Sequence, residues 1–340
     1  MPPKNKVVVT MRLPESAQRL LEADKSPTEY SQHNAEQPCS RLWLLNEIKG
    51  AHGVLLGVYD KVDEELLDAA GDQLKVISTF SVGTDHVDRE LLKQRNIRLG
   101  YTPTCLTDSV ADISVMLVLM AQRRARESIA RVTAGQWPQM PWHPSLMIGP
   151  DIRGSTVAFL GFGRIAQATL KRLIGFGIKD ARYLTSKPGQ PVQEDHFGLI
   201  RDAAVPVQPV KDLKELASCG DVVIVSCALT PSTFHIVNAS FFAEMKKTAV
   251  LVNIARGPVV DTDALVDALQ QEQIFGAGLD VIEGEPEIAK GHPILRQERC
   301  VLLPHIGSAT IKTREQMAEE CVKNLWAGLN GDAMVNEASL

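Results

Sequence analysis

The chain has 340 residues, 44% hydrophobic and 23% charged, which is enough for about two domains with full cores and unlike a disordered or low-complexity scaffold. Its 36 Lys and Arg against 41 Asp and Glu give a net charge of −5, which argues against a general attraction to nucleic acid or anionic membrane. The longest strongly apolar stretch lies within residues 110–122, contains Asp112 and is too short to span a bilayer. Residues 1–6 run straight into a strand-like Val7-Val8-Val9 without the apolar core of a secretory leader. The closing Ala338-Ser339-Leu340 lacks a peroxisomal signal, so a soluble, cytoplasmic protein is expected. Six cysteines (Cys39, Cys105, Cys219, Cys227, Cys300 and Cys321) show no CxxC pair and no histidine at metal spacing. No metal site is expected, and the thiols are expected to be reduced and mostly buried.

Apolar β-rich runs alternate with helical periodicity along the chain, the pattern of parallel sheets with crossover helices. Strands are expected at residues 7–11, 53–56, 74–79 and 97–100, with helices at 15–23, 64–70 and 88–95. The polar stretch 28–41, with Pro27 beside it and Pro38 inside it, reads as loop with at most a short strand. A long helix is expected over about 109–134. Its first half is apolar all round, which places it between domains or subunits. Pro138, Pro141, Pro144 and Pro150 break the next stretch, which carries Trp137 and Trp142. A second alternating series gives strands at 156–160, 181–185, 205–207, 221–226, 248–253, 276–280 and 300–303, and a final amphipathic helix at 308–329.

The strand at 156–160 feeds Gly161-Phe162-Gly163-Arg164-Ile165-Ala166, a G-x-G-x-x-A turn that opens a helix. Gly161 permits the tight turn, Gly163 lets a pyrophosphate approach the backbone, and Ala166 allows close helix packing. The helix N-terminus at Arg164 and Ile165 offers N–H groups to phosphate oxygens. The context of strand before and helix after is what makes this a dinucleotide site. Binding of NAD asks for an acid at the end of the following strand to hold the ribose 2′-OH. No Asp or Glu occurs between Ala181 and Gln193, and Asp180 stands at the wrong end of that strand. Ser186 and Lys187 can receive a 2′-phosphate instead, so NADP(H) is the expected coenzyme. NAD(H) is the alternative if Lys187 is only a solvated loop charge.

Three later segments carry chemistry. Val250-Leu251-Val252-Asn253-Ile254-Ala255-Arg256-Gly257 is a buried strand leading to an arginine. Gly276-Ala277-Gly278-Leu279-Asp280-Val281 leads through Ile282-Glu283-Gly284 to Glu285 before a proline. Leu303-Pro304-His305-Ile306-Gly307-Ser308 sets a histidine between a strand and a helix. In an open parallel sheet the C-terminal strand ends surround the ligand crevice, so Arg256, Glu285 and His305 would meet beside a nicotinamide.

Together these motifs, with the turn Ser81-Val82-Gly83-Thr84-Asp85-His86, resemble the D-isomer-specific 2-hydroxyacid dehydrogenases, and within them the glyoxylate/hydroxypyruvate reductase branch. The resemblance covers the chain from about Gly53 to the last helix. It implies two Rossmann-like, doubly wound parallel α/β domains. The substrate domain is discontinuous (1–104 and 309–340), and an NAD(P)-binding domain (105–308) is inserted in it. It implies that small 2-keto acids are reduced to D-2-hydroxy acids by hydride transfer, with His305 as proton donor. Arg256 would fork onto the carboxylate and carbonyl oxygens, a geometry lysine cannot reproduce. The N–H groups of Val82 and Gly83 would hold the carboxylate further. Glu285 would orient the His305 ring and favour imidazolium.

By family position, Thr107 and Asp112 open the long helix near the coenzyme, Asp112 standing where glutamate is commoner. Leu229 and Thr230 flank the adenosine side, and Ile254 lines the nicotinamide end. His305 and Gly307 contribute there too. Asp280 would accept from the carboxamide, or else cap a turn. Leu56 and Gly57, with short side chains around them, suggest a small pocket. Trp142 matches an aromatic that reaches into a neighbouring subunit's site, or else it anchors a proline-rich loop. The apolar helix from Ser109 suggests a homodimer. Two other readings remain open: an NAD(H)-binding corepressor-like sensor of the same fold, and a D-lactate-type dehydrogenase. A sensor would bind coenzyme yet turn over keto acids negligibly.

Overall fold

The computed structural model describes residues 5–23, 28–200 and 204–340. The opening residues 1–4 and Pro27, on which two of the expectations above rest, lie outside them. The chain divides into two compact units. One comprises the residues up to Leu106 together with Ser308–Leu340, and the other is the continuous stretch Thr107–Gly307.

The first unit is a five-stranded parallel sheet. Strands β1 (Asn5–Val9), β2 (Thr28–Gln32), β3 (Gly53–Leu56), β4 (Val76–Thr79) and β5 (Arg98–Gly100) lie in the order β2-β1-β3-β4-β5. Helices α1 (Glu15–Glu22), α2 (Arg41–Glu47), α3 (Glu64–Ala70) and α4 (Arg89–Gln94) connect them. Side chains alternate across the sheet with period two. Val8, Val54, Leu56 and Ile77 face a core with α2 and α3, while Val7, Val9, Leu55 and Val76 face the opposite one. Helix starts follow local chemistry: Asp63 accepts from the Leu66 N–H at 3.1 Å and Asp88 from Leu91 at 3.0 Å. The polar stretch 28–41 holds the five-residue edge strand β2, the short strand that the sequence reading allows there, and α2 begins where that stretch ends. Ser40 caps α2 by accepting from Trp43 N–H at 3.2 Å, a start signal present in the sequence just before Arg41-Leu42-Trp43-Leu44-Leu45.

The second unit opens with α5 (Thr107–Gln122) and α6 (Ala125–Thr133), where one long helix is expected. The break falls at Arg124, whose φ of 50° is left-handed. Its guanidinium pairs with the buried Glu127 at 2.7 Å, so the turn is held by an ion pair that helical periodicity does not reveal. The apolar surface of α5 is covered within its own unit by the sheet and a neighbouring helix. Strands β6 (Thr156–Leu160), β7 (Asp180–Leu184), β8 (Val207–Pro209), β9 (Val222–Val225), β10 (Val250–Asn253), β11 (Gly276–Leu279) and β12 (Cys300–Leu302) form a seven-stranded parallel sheet. Its order is β12-β11-β10-β9-β6-β7-β8. Helices α7 (Arg164–Ile174), α8 (Leu213–Cys219), α9 (Ala239–Glu244) and α10 (Thr262–Gln270) complete this unit, and α11 (Ile311–Asn330) belongs to the first. Strand order reverses at β6, so the loops after β6, β9, β10, β11 and β12 open from one edge of the sheet.

All six cysteines are free. Only Cys300 and Cys321 are fully buried, the other four being half-covered at element ends. Burial pushes Cys227 up to about 11 and Cys300 up to about 12. No described helix is long and apolar enough to cross a membrane.

Candidate active site

The glycine loop follows β6. Gly161 has φ 89°, and a Cβ there would lie 2.7 Å from Cys227 backbone atoms, so only glycine fits. The loop is drawn to the end of β9 by Ser226, whose hydroxyl donates to the Gly161 carbonyl at 2.8 Å. Gly163 differs: its φ of −82° suits any residue, and nothing lies within 4 Å of where a Cβ would stand. Gly163 is also the N-cap of α7, with no side chain capping that helix start. The first-turn N–H groups at Arg164 and Ile165 therefore point out of the helix end without intrahelical partners. Ala166, 1% exposed, packs beneath. These residues fit a dinucleotide.

Beyond β7, Ser186 and Lys187 are exposed, and Asp180 is engaged in the structure, with Arg182 at 2.9 Å. Asp112 does not point to a ligand. It and Asp108 clamp Arg172 of α7 at 2.5 and 2.9 Å, which ties α5 to α7. Thr107 is buried in the first turn of α5. Leu229 packs partly into the core, and Thr230 shares hydrogen bonds with Ser232 and Thr233.

At the far end of the same sheet edge, β10, β11 and β12 are neighbours in register, and each is followed by one of the chemical loops. Asn253 ends β10. Its buried side chain accepts from Ala255 N–H at 3.0 Å and donates to the Arg256 carbonyl at 2.9 Å, folding the turn that presents Arg256. Ile254 lies almost buried beside it. A Cβ on Gly257 would stand 2.1 Å from the Ile282 carbonyl carbon, so the arginine turn rests directly on the loop after β11. In that loop Glu285 accepts from the Ile282 N–H at 3.1 Å through one oxygen and meets His305 Nδ1 at 2.8 Å through the other. A second pair, His235 and Glu283 at 3.0 Å, braces the outer side of the loop.

His305 has φ 53°, an uncommon conformation for a non-glycine residue. Asp280 holds it there. The Asp280 carbonyl accepts from His305 N–H at 2.9 Å, and its two carboxylate oxygens accept from Ile306 and Gly307 N–H, both at 2.8 Å. Asp280 is 2% exposed, and Gly307 has no room for a side chain, since a Cβ would meet Asp280 Oδ2 at 2.8 Å. Of the two readings of Asp280, turn capping is what its bonds display. A carboxylate has about four lone-pair sites, so two remain for another donor.

The first unit presents its own loops at the C-terminal edge of its sheet. The Leu56 side chain is fully buried, because period-two alternation sends it into the core with Val54. Gly57 follows it, its N–H given to Asp60 at 2.8 Å. After β4, the N–H groups of Val82 and Gly83 are given to no protein acceptor among the described residues. Trp142 is 84% exposed, so it anchors nothing in its own chain. Asn253, Ser226 and Gly257 are the positioning residues that motif reading passes over. A polar residue closing an apolar run, as in Val-Leu-Val-Asn, was the available sign.

A family model described as "D-isomer specific 2-hydroxyacid dehydrogenase, NAD binding domain" matches residues 115–307. The chain is 43% identical over 335 residues to a mouse protein named glyoxylate reductase/hydroxypyruvate reductase, covering 98% of each. A solved structure from Thermus thermophilus superposes with a TM-score of 0.85 at 39% identity, covering 98% of this chain and 100% of that one. A Sinorhizobium meliloti structure, an NADPH-dependent glyoxylate/hydroxypyruvate reductase with NADP and malonate, superposes at TM-score 0.79 and 29% identity, covering 99% and 97%.

The two loop glycines should separate by experiment. Gly163→Ala should keep the wild-type melting temperature and weaken nicotinamide coenzyme binding about tenfold or more, because the added methyl enters open space. Gly161→Ala should lower stability by roughly 1–3 kcal/mol through overpacking and a strained φ. Thermal melts and coenzyme fluorescence titrations check both, and equal loss of stability in the two variants would contradict this account of Gly163.

Proposed function

The chain belongs to the D-isomer-specific 2-hydroxyacid dehydrogenase family, an oxidoreductase family with a nicotinamide coenzyme. On that premise we propose that it reduces glyoxylate to glycolate, which has no stereocentre, and hydroxypyruvate to the D-2-hydroxy acid, with NADPH preferred over NADH. The observation that carries this reading is the 2.8 Å Glu285–His305 pair set on the same sheet edge as Arg256 and the glycine loop.

Each side chain has one task. The coenzyme, when bound, supplies hydride to the keto carbon. Arg256 neutralises the substrate carboxylate and polarises the carbonyl through its forked donors. Glu285 occupies the Nδ1 side of His305, which leaves Nε2 as the atom that delivers a proton to the forming alkoxide. Asp280 fixes the backbone beneath the ring. The N–H groups of Val82 and Gly83 offer a carboxylate two further donors of the kind a backbone nest provides. The names of the relatives support the small keto acids.

Support for NADPH comes from the start of the loop after β7, where the exposed Ser186 hydroxyl and Lys187 ammonium stand and no Asp or Glu occurs before Glu194. We further propose a homodimer. Trp137, Trp142, Ile129, Val132 and Ile148 are all more than 45% exposed within one short stretch of the chain, apolar surface of the kind a second copy covers.

Three measurements test these proposals. His305→Ala should lower kcat for glyoxylate by about 10²–10⁴-fold with coenzyme affinity little changed, while Arg256→Ala should also raise KM and Arg256→Lys should not restore it. Wild-type turnover in the histidine variant would remove His305 from proton transfer. Kinetics with both coenzymes should favour NADPH by about tenfold or more, and Lys187→Glu should erase that margin by placing a negative charge against the phosphate. An enzyme that prefers NADH would refute the assignment of Ser186 and Lys187. Light scattering should give twice the 37.2 kDa of one chain. A single-chain mass would discard the dimer and any role of Trp142 in a neighbour's site.

A further inference from the structure

The turn after β4 is held by a chain of hydrogen bonds whose direction can be worked out from proton counting alone. The Ser81 hydroxyl lies 2.7 Å from the Gly83 carbonyl, which can only accept, so Ser81 spends its single proton there. The Thr79 and Ser81 hydroxyls are 2.9 Å apart, so the proton between them must come from Thr79. Thr79 is likewise 2.9 Å from His86 Nε2, and with its own proton already given it can only accept from the ring. The His86 ring therefore carries a proton on Nε2, and the bonds run one way: His86 to Thr79 to Ser81 to Gly83. Thr79 is fully buried and Ser81 is 6% exposed, so water does not compete for these links.

The chain determines where the turn's N–H groups aim. A peptide group is planar, so pinning its carbonyl oxygen fixes the direction of the N–H across it. The Ser81 carbonyl accepts from Thr102 N–H at 2.9 Å, which aims the Val82 N–H. The Gly83 carbonyl is pinned by Ser81 Oγ, which aims the N–H of Thr84. The peptide bearing the Gly83 N–H lies between these two fixed planes. On the far side, the His86 carbonyl accepts from Val62 N–H at 2.8 Å, so the backbone of the residue at the head of the chain is anchored to the segment before α3.

We propose that His86, acting through Thr79 and Ser81, is a positioning residue that sets the aim of the Val82–Thr84 turn toward the substrate carboxylate, with Thr84 N–H as a third donor. The proposal rests on the reading above that this turn receives the carboxylate. His86 itself touches no reacting atom.

Long-range ¹H–¹⁵N correlation of the histidine-labelled holoenzyme, with His86 assigned by its absence in a variant, should report the Nε2–H tautomer near neutral pH. Ser81→Ala, Thr79→Val and His86→Leu should each raise KM for glyoxylate about tenfold, with kcat within about threefold and NADPH affinity unmoved, because carboxylate binding is common to ground and transition states. Thr79→Val combined with His86→Leu should be no worse than either alone, since a chain broken once is broken. His86→Gln places an amide N–H where Nε2–H stood and should recover most of the loss, which a merely space-filling role would not predict. A His86 proton found on Nδ1 with Nε2 bare would overturn the chain and leave the carboxylate reading untouched. An Nε2–H tautomer with KM unmoved in all three variants would overturn the positioning role.

Discussion

Three consecutive N–H groups, those of His305, Ile306 and Gly307, all end on one residue, Asp280. The active-site geometry of the second unit depends on that grip. A histidine in the left-handed region costs about 1–3 kcal/mol, while each hydrogen bond to an ionised carboxylate contributes about 1.5–3 kcal/mol, so the two carboxylate bonds are sufficient to hold the strain. The grip also explains Gly307, because a side chain there would collide with the carboxylate it must approach. With the backbone fixed, the 2.8 Å bond from Nδ1 to Glu285 orients the ring. Glu285 in turn is tied to its own loop through Ile282 N–H.

The neighbouring loops are joined by contact more than by charge. Gly257 lets the arginine turn lie on the Ile282–Glu283 peptide, and Gly161 lets the coenzyme loop lie on Cys227. Both are places where two strand-end loops approach closely enough to exclude a methyl group. Parallel pairing makes this possible, since strands in register end together and their following loops must pack side by side. Gly163, in the same loop as Gly161, differs from both. It faces open space, where an added Cβ would meet no protein atom within 4 Å.

The order of strands and the glycine loop were legible in the sequence because each rests on local pattern: apolar runs of four or five residues, and glycines between a strand and a helix. The α5–α6 break was not, because the left-handed Arg124 depends on a pair with Glu127 that helical periodicity cannot reveal. Helix α2 has only seven residues, too few for a clear period, although Ser40 marks its start. The side chain of Leu56 shows a different limit. Motif position placed it at a pocket, whereas its parity with Val54 along β3 sends it into the core. Asp112 illustrates the same limit, since position by family suggested a ligand contact and the fold uses it on Arg172. Asp280 was assigned two readings, and nothing short of the loop's conformation could have told that its oxygens face Ile306 and Gly307.

The residues that organise both units share one location. Thr10, Thr79, Ser226, Asn253 and Asp280 each sit at, or one residue beyond, the C-terminal end of a buried parallel strand. There the ladder stops supplying partners while the backbone is still poorly exposed to water, and an unpaired buried peptide group is costly. A short polar side chain at that point can bond the next few backbone atoms, and in doing so it dictates the loop's path. Thr10 and the Gly57 N–H share Asp60, Ser226 secures Gly161, Asn253 folds the Arg256 turn, and Asp280 holds the His305 turn. Thr79 does the same for the turn after β4, bonding both Ser81 and the His86 ring. The physical requirement to satisfy strand ends and the chemical requirement to aim functional groups are therefore met by the same side chains. For that reason a change at any of them should be read first as a change in loop direction, and only then as a loss of stability.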